Sequence, residues 1–281
     1  MKVAAIQMVS GTDVQRNLDA ASKLLTAAAD EGAELAVLPE YFCVLGRVDT
    51  DKLRVQEIFG QGPIQSLLSN MARKLKLWIV GGTLPLSLPN IHLESPAQAE
   101  PVKVNNTSLV FSPEGVCVAR YDKMHLFQFD SGKERFDEAR TLQAGTVPQL
   151  FTLASRDGAV WRIGMSVCYD LRFPELYRHY ATQNADLLLV PSAFTFNTGQ
   201  AHWEVLLRAR AIENQAFVVA AAQGGLHENG RQTWGHSAII GPWGDIAKQL
   251  PTGAGVVCHA LDLGQRQACA DQIPALAHRI L

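Results

Sequence analysis

The apolar residues of this chain keep two periods, and the two take turns. Residues 2–8 alternate and open the chain as a strand. Leu18, Ala21, Leu24, Leu25 and Ala28 then share one face of a helix predicted over 17–31, which Gly32 closes. A strand over 34–38 ends at Pro39 and Glu40. A helix over 64–75 and a strand over 77–83 follow. Strands over 107–111 and 116–121 flank Ser112-Pro113-Glu114-Gly115, the punctuation of a hairpin. Residues 84–103, with four prolines, read as an irregular excursion. Residues 124–147 read as a long polar loop, a kind that is usually functional or disordered.

The second half repeats this grammar. Strands are predicted over 149–153 and 160–168, a helix over 174–183, a strand over 186–190, a helix over 201–214 and a strand over 216–222. Further strands follow over 237–240, 245–249 and 256–261. Two halves of the same order, with no shared sequence, predict an α/β fold of two mixed sheets packed face to face with helices outside. No linker divides the chain, so the expectation is one domain over 1–281.

The sharpest local pattern is at residues 161–168. Trp161, Ile163, Met165 and Val167 alternate with Arg162, Gly164, Ser166 and Cys168, which puts Cys168 on the small, polar face. Pro174 suits the first turn of a helix, where its missing N–H costs nothing. Strand, cysteine, sharp turn and helix together make an elbow that lifts a side chain clear of a sheet edge. A thiol near a helix N-terminus has its thiolate favoured. A buried structural cysteine fits the same segment, since free cysteines are often buried. A nucleophile would need a base and an oxyanion partner elsewhere in the chain.

Composition narrows the classes. The 281 residues are 47% hydrophobic, enough for a large core without disulfide or metal. The net charge is −2 and no long basic run occurs, so nucleic acid has no electrostatic support as a partner. No apolar run reaches the roughly 18 residues of a membrane span, and the N-terminus lacks the apolar core of a signal peptide. Five scattered cysteines without CxxC, and eight histidines without HExxH, point away from a metal site and towards a reducing cytoplasm.

Glu40 follows an apolar run by two residues, at the end of a strand where α/β sheets build their sites. Lys123, in RYDKMHLF, comes straight after a predicted strand, and Glu138 lies in the long polar loop. Each alone fits an ordinary solvated charge. Their order with Cys168 says more. The stretches VLPEYF, RYDKMHLF, SVCYDLRFPEL, VPSAFTFNTGQAHWEVLLRARAIENQ and GHSAIIGPWGD resemble the nitrilase, or carbon–nitrogen hydrolase, superfamily over nearly the whole chain.

The resemblance implies a four-layer α-β-β-α sandwich and a cysteine-dependent amidase. Cys168 would attack an amide carbonyl, and Glu40 would act as general base and later pass a proton to leaving ammonia. Lys123 and the backbone N–H of Tyr169 would face the oxyanion. Glu138 matches an assisting glutamate seven residues before Gly145, although Ala139 stands where the nearest relatives carry Ser. No cofactor or metal is implied. The longest match is to the Nit subgroup of amidases, which act on deaminated glutathione or, as ω-amidases, on α-ketoglutaramate. AHWEVLLRARAIENQ and AAAQGGLHENGRQTWGHS look more like the first branch, although Gln200 replaces an expected Pro and Trp234 a common Tyr. A nitrilase activity is a further alternative.

Either substrate carries a carboxylate, and Arg172 offers a fork for it, unless it braces the turn through Asp170 or Glu175. Ser192, Ala193, Phe194 and Thr195 follow a strand end and are expected to line the pocket, with Tyr41 as a wall. Arg208 and Arg210 read as structural ion pairs, and His125 and His202 as hydrogen-bonded structural residues. A Cys-His hydrolase using His125, His202 or His236 is the competing enzyme class, and a scaffold that keeps the fold is the non-enzymatic one. The family resemblance also implies a homodimer formed through the helices after Pro174 and after Ala201, with the option of higher assembly.

Overall fold

The computed structural model describes residues 1–88, 103–130, 132 and 135–280. Its helices are α1 (Val14–Asp30), α2 (Asp51–Arg54), α3 (Pro63–Leu75), α4 (Pro174–Thr182), α5 (Phe196–Asn214) and α6 (Leu263–Gln272). Helix α1 starts ahead of the expected residue 17 because the Asp13 carboxylate caps it, accepting from the Arg16 N–H at 2.8 Å.

The strands form two principal sheets. In the first, Lys2–Gln7, Leu35–Val37 and Trp78–Val80 run parallel, and Gly255–Ala260 adds antiparallel to Lys2–Gln7. Val104–Phe111 pairs antiparallel with Trp78–Val80, Leu84–Ser87 and Cys117–Asp122. In the second, Val160–Met165, Leu187–Leu189 and Phe217–Ala220 run parallel, flanked by the antiparallel strands Leu150–Ala154, Ser237–Ile240 and Ile246–Leu250. Three parallel strands inside antiparallel edges thus occur twice.

Period two explains the layering. Val3, Ala5, Leu35 and Val37 point into one cluster with Ile163, Met165 and Val219 of the second sheet. Their alternates Ala4, Ile6, Ala36 and Leu38 pack with Leu18, Leu25 and Leu68 of α1 and α3. On the other side, Tyr177 and Tyr180 of α4 and Trp203 and Leu207 of α5 cover the second sheet. The result is the four-layer α-β-β-α order.

Several boundaries differ from the sequence reading. Residues 84–87 are a strand, not part of an excursion, because Val104–Phe111 offers them a pairing edge; residues 89–102 of that stretch lie outside the described residues. Helix α5 begins at Phe196, five residues before the expected start. The polar loop holds two short strands, Gln128–Asp130 and Arg135–Asp137, and a 3-10 turn, Glu138–Arg140. The strand expected to reach Cys168 stops at Met165. Its small face is the one on which α4 lies: a Cβ added at Gly164 would meet the Tyr180 ring at 2.7 Å, and the Ser166 and Tyr177 hydroxyls are 2.7 Å apart.

Candidate active site

Beyond Met165 the chain turns sharply. Cys168 has φ +50° and opens a 3-10 turn, Cys168–Arg172, that leads into α4. A left-handed residue other than Gly costs about 1–2 kcal/mol, so the surroundings must hold it there. The Cys168 N–H donates to the Pro191 carbonyl at 2.9 Å. The wholly buried Asp170 carboxylate accepts from the Val167 N–H at 2.8 Å and the Tyr121 hydroxyl at 2.7 Å. Its other oxygen accepts the His125 N–H at 3.0 Å and lies 2.7 Å from the His125 ring Nδ1. The elbow is thereby clasped to the segment that carries Lys123.

Glu40 sits in the turn after Leu35–Val37. The Tyr41 that follows it is also left-handed, at φ +57°, with its N–H on the Thr83 hydroxyl at 2.9 Å. The neighbouring turn needs glycine: Gly82 has φ +48°, and a Cβ there would lie 2.0 Å from the Pro39 carbonyl oxygen. Lys123 follows the strand Cys117–Asp122 and is wholly buried. Its ammonium donates to Glu40 Oε1 at 2.8 Å and to Glu138 Oε1 and Oε2 at 3.0 and 2.8 Å. Asn106 Nδ2 donates to the same Glu40 oxygen at 2.9 Å. Glu138 also accepts from the Tyr41 hydroxyl at 2.7 Å and the Phe127 N–H at 2.6 Å.

The two carboxylates around one ammonium are pushed in opposite directions. Burial raises Glu40, against the pull of Lys123, and the charge of Glu138 adds to the rise, so its carboxyl lies above the usual range. Burial also acts on Glu138, but the charge and hydrogen bonds of Lys123, with the Phe127 N–H and the Tyr41 hydroxyl, outweigh it and bring Glu138 down. Burial works against the Lys123 cation, yet Glu138 and Glu40 hold its pKa well above the usual lysine value. Burial and then the charge of Glu40 push the Cys168 thiol well up, against Lys123 and the Ala193 N–H. The expectation of a favoured thiolate is therefore corrected. Desolvation beats the field of the helix end, and the resting cysteine is a thiol. Such a splitting of titrations is what separates a proton carrier from a fixed charge.

A cavity of about 530 Å³ opens onto this cluster. Glu40, Tyr41, Glu138, Cys168, Tyr169, Arg172, Ala193, Phe194 and Thr195 line it. Ser192 does not: its hydroxyl turns back to the Val190 carbonyl at 3.2 Å, and its backbone extends the sheet beside Ala222. Lys123 lies behind the wall. Arg172 braces nothing through Asp170 or Glu175. Asp170 is taken by the elbow clasp, and Arg172 instead meets His202 Nδ1 at 3.2 Å and stands over the Tyr169 and Phe194 rings at 5.8 and 5.4 Å.

Among the described residues no histidine lines the cavity. His125 is held by Asp170 and stacks on Phe173 at 3.7 Å, and His236 stacks on Trp234 at 4.1 Å. Arg208 and Arg210 pair with Glu204 and Glu213, and Arg210 also donates to the Leu171 carbonyl. Among the described residues no group of His, Cys, Asp and Glu is placed to hold a metal.

Sequence reasoning missed Asn106, Asp170, Lys52 and Arg231. Asp170 lies inside the elbow motif, and its position two residues after the cysteine was the available signal. Lys52 reaches the cavity from a segment with no motif, whereas Arg231 lies inside AAAQGGLHENGRQTWGHS, a stretch quoted without singling out its arginine.

A buried cysteine, glutamate and lysine at one pocket of a two-sheet sandwich define a class, the amide-cleaving hydrolases of the nitrilase fold. The family model "Carbon-nitrogen hydrolase" matches residues 2–271, and the chain belongs to that family. It is a hydrolase of carbon–nitrogen bonds other than peptide bonds. The chain is 37% identical over 278 residues to a deaminated glutathione amidase of Synechocystis, covering 99% of this chain and 97% of that one. It is 33% identical to an omega-amidase of Xenopus laevis, covering 99% and 94%. The crystal structure of Nit3 from Saccharomyces cerevisiae, a member of branch 10 of the nitrilase superfamily, superposes with a TM-score of 0.83 at 29% identity, covering 100% and 97%.

Proposed function

We propose that the chain is a deaminated glutathione amidase, acting through Cys168, Glu40, Lys123 and Glu138 as a single hydrolase unit over 1–281. The observation that carries this is the Glu40–Lys123–Glu138 cluster, with its split carboxylates, at the wall from which Cys168 opens. The 37% identity to a deaminated glutathione amidase supports the substrate. The second reading, an ω-amidase acting on α-ketoglutaramate, is favoured by the 33% identity to the Xenopus enzyme.

In the proposed mechanism Cys168 attacks as a thiol whose proton passes to Glu40 as the sulfur–carbon bond forms. The raised carboxyl of Glu40 makes it a better base than an ordinary glutamate. The Tyr169 N–H donates to the oxyanion, and Lys123, a cation held behind the wall by Glu40 and Glu138, stabilises it through its charge. Collapse of the tetrahedral intermediate expels the amine, which takes its proton from Glu40. Water, deprotonated by Glu40, then cleaves the thioester, and the proton passes from Glu40 to the departing Cys168 sulfur. Glu138 stays ionised throughout and fixes Lys123. In deaminated glutathione the amide joins an oxo-acid to cysteinylglycine, so the departing amine is that dipeptide. Ammonia departs only from α-ketoglutaramate, and the expectation of ammonia release applies to that substrate alone.

The cytoplasm suits the five free cysteines, and no helix among the described residues is long and apolar enough to cross a membrane. A homodimer through α4 and α5 is supported by Val205 and Ile212, which stand exposed on α5.

The test is release of 2-oxoglutarate, the product common to both substrates. Faster release from deaminated glutathione, lost in Cys168→Ala, is the expected result. Faster release from α-ketoglutaramate moves the enzyme to the second reading. Release that survives in Cys168→Ala removes the nucleophile assignment.

A further inference from the structure

The catalytic cluster leaves part of the cavity unused. Its outer wall is formed by α2 and by the turn that bears Arg231. This wall is built, not incidental. The Asp51 carboxylate accepts from the Arg47 and Val48 N–H groups at 2.8 and 3.1 Å, and Asn229 Nδ2 donates to the Leu45 and Gly46 carbonyls at 3.1 and 2.8 Å. The two elements are thus tied together across the rim.

Two cations stand on the wall. Arg231 is already neutralised, with Asp49 at 3.3 Å. Lys52 is not. It is half-buried, its ammonium lies over the Tyr41 ring at 5.4 Å, and no carboxylate among the described residues lies within 4.0 Å of it. Burial lowers its pKa, against the opposing charges of Glu138 and Asp49, with smaller contributions in the same direction as burial from Lys123 and Arg231. A cation drawn partly out of water without an anion is a cost that an anionic ligand removes. Arg172, against Tyr169 and Phe194, is the other lining cation without a carboxylate partner. One pocket therefore holds two unmatched positive charges on different walls.

We infer that Lys52 receives a second substrate carboxylate, carried by the leaving amine, while Arg172 faces the carboxylate of the acyl part. This rests on the reading of deaminated glutathione as substrate, and deepens it. That molecule carries one carboxylate on its oxo-acid and one on its terminal glycine, whereas α-ketoglutaramate has only the first. Lys52 would then be the residue that selects for the longer, doubly charged amide.

Two probes separate the charge from the rest of the leaving group: the 2-oxoglutaryl γ-amides of alanylglycine and of alanylglycinamide. The measured quantity is the ratio of their kcat/KM values. The wild type is expected to prefer the alanylglycine amide by about 10-fold or more, the worth of one charged hydrogen bond. Lys52→Met should bring the ratio towards one, mainly through KM, and Lys52→Arg should restore it. A wild-type ratio near one, a ratio unchanged in Lys52→Met, or no turnover of either probe overturns the inference. Turnover of both probes with none of deaminated glutathione overturns the substrate reading, and the ratio still decides Lys52.

Discussion

The two halves of the molecule share a layout and divide the chemistry. Each has three parallel strands between antiparallel edges, with two helices on its outer face. The first half brings the buried Glu40 and Lys123 and the partly buried Glu138, two carboxylates hydrogen-bonded to one ammonium. The second brings Cys168, an uncharged thiol held in a left-handed turn. The charges are kept in the half where they neutralise each other, and the strain in the half where backbone hydrogen bonds absorb it. Neither half holds a complete proposed site. The turn brings the thiol to the cavity wall, and in the proposed mechanism its proton goes to the neighbouring half, to Glu40.

The strongest way to break this comparison is to remove one contribution from each half. Cys168→Ala is expected to lower kcat by at least about 10³-fold, since among the described residues no other thiol lines the cavity. Glu40→Gln is expected to cost about 10²–10⁴-fold, the usual worth of a positioned acid–base group. Stopped assays with mass spectrometry sharpen the pair. A thioester that accumulates in Glu40→Gln would show attack surviving without the base and would confine Glu40 to the second step.

Glu138→Gln tests the division within the charged half. Its direct loss should be smaller, about 10–100-fold, the range of one or two charged hydrogen bonds. Its pH signature matters more. In the proposed mechanism the raised Glu40 must be ionised, so kcat/KM should fall with acid at a midpoint above the ordinary 4.5 of a glutamate. Burial is the main cause of that rise, and the charge of Glu138 adds to it, so removing that charge should move the acid limb to lower pH. A limb that stays put would mean that the two carboxylates do not sense each other. On the alkaline side no loss is expected near neutrality, because Lys123 and Cys168 are both pushed up.

Much of the fold was legible because the core obeys simple periods. Val3 and Ala5 face one way and Ala4 and Ile6 the other, and this alternation alone places a sheet between two apolar layers. Cys168 was legible for a related reason. A strand, a proline and a small-residue face leave few shapes for the segment between. The partners were less so. Lys123 and Glu138 look like surface charges in a polar loop, and their burial depends on contacts between residues far apart in the chain, such as Tyr41 with Glu138. Residues 84–87 were read as irregular because Pro85 removes a donor, yet an edge strand tolerates that loss. Lys52 carried no signal, since its meaning comes from what does not pair with it. The thiol of Cys168 was misjudged because a helix end is visible in sequence and desolvation is not.

The smallest effect on chemistry is expected where the halves are joined rather than where they react. Asp170 belongs to the second half, and it takes the Tyr121 hydroxyl and both the backbone and the ring of His125 from the first. Asp170→Asn keeps the shape but loses the charge, and its amide group presents donors where the carboxylate accepts. At least one of these buried contacts must then fail, at about 1–3 kcal/mol. Every proposed reacting atom remains, so the fall in kcat should be less than that of Glu138→Gln, while the urea midpoint drops. An unchanged midpoint would mean that the sheet interface alone holds the halves in register. A loss of kcat as deep as in Cys168→Ala, with the midpoint kept, would move Asp170 from the clasp into the reaction.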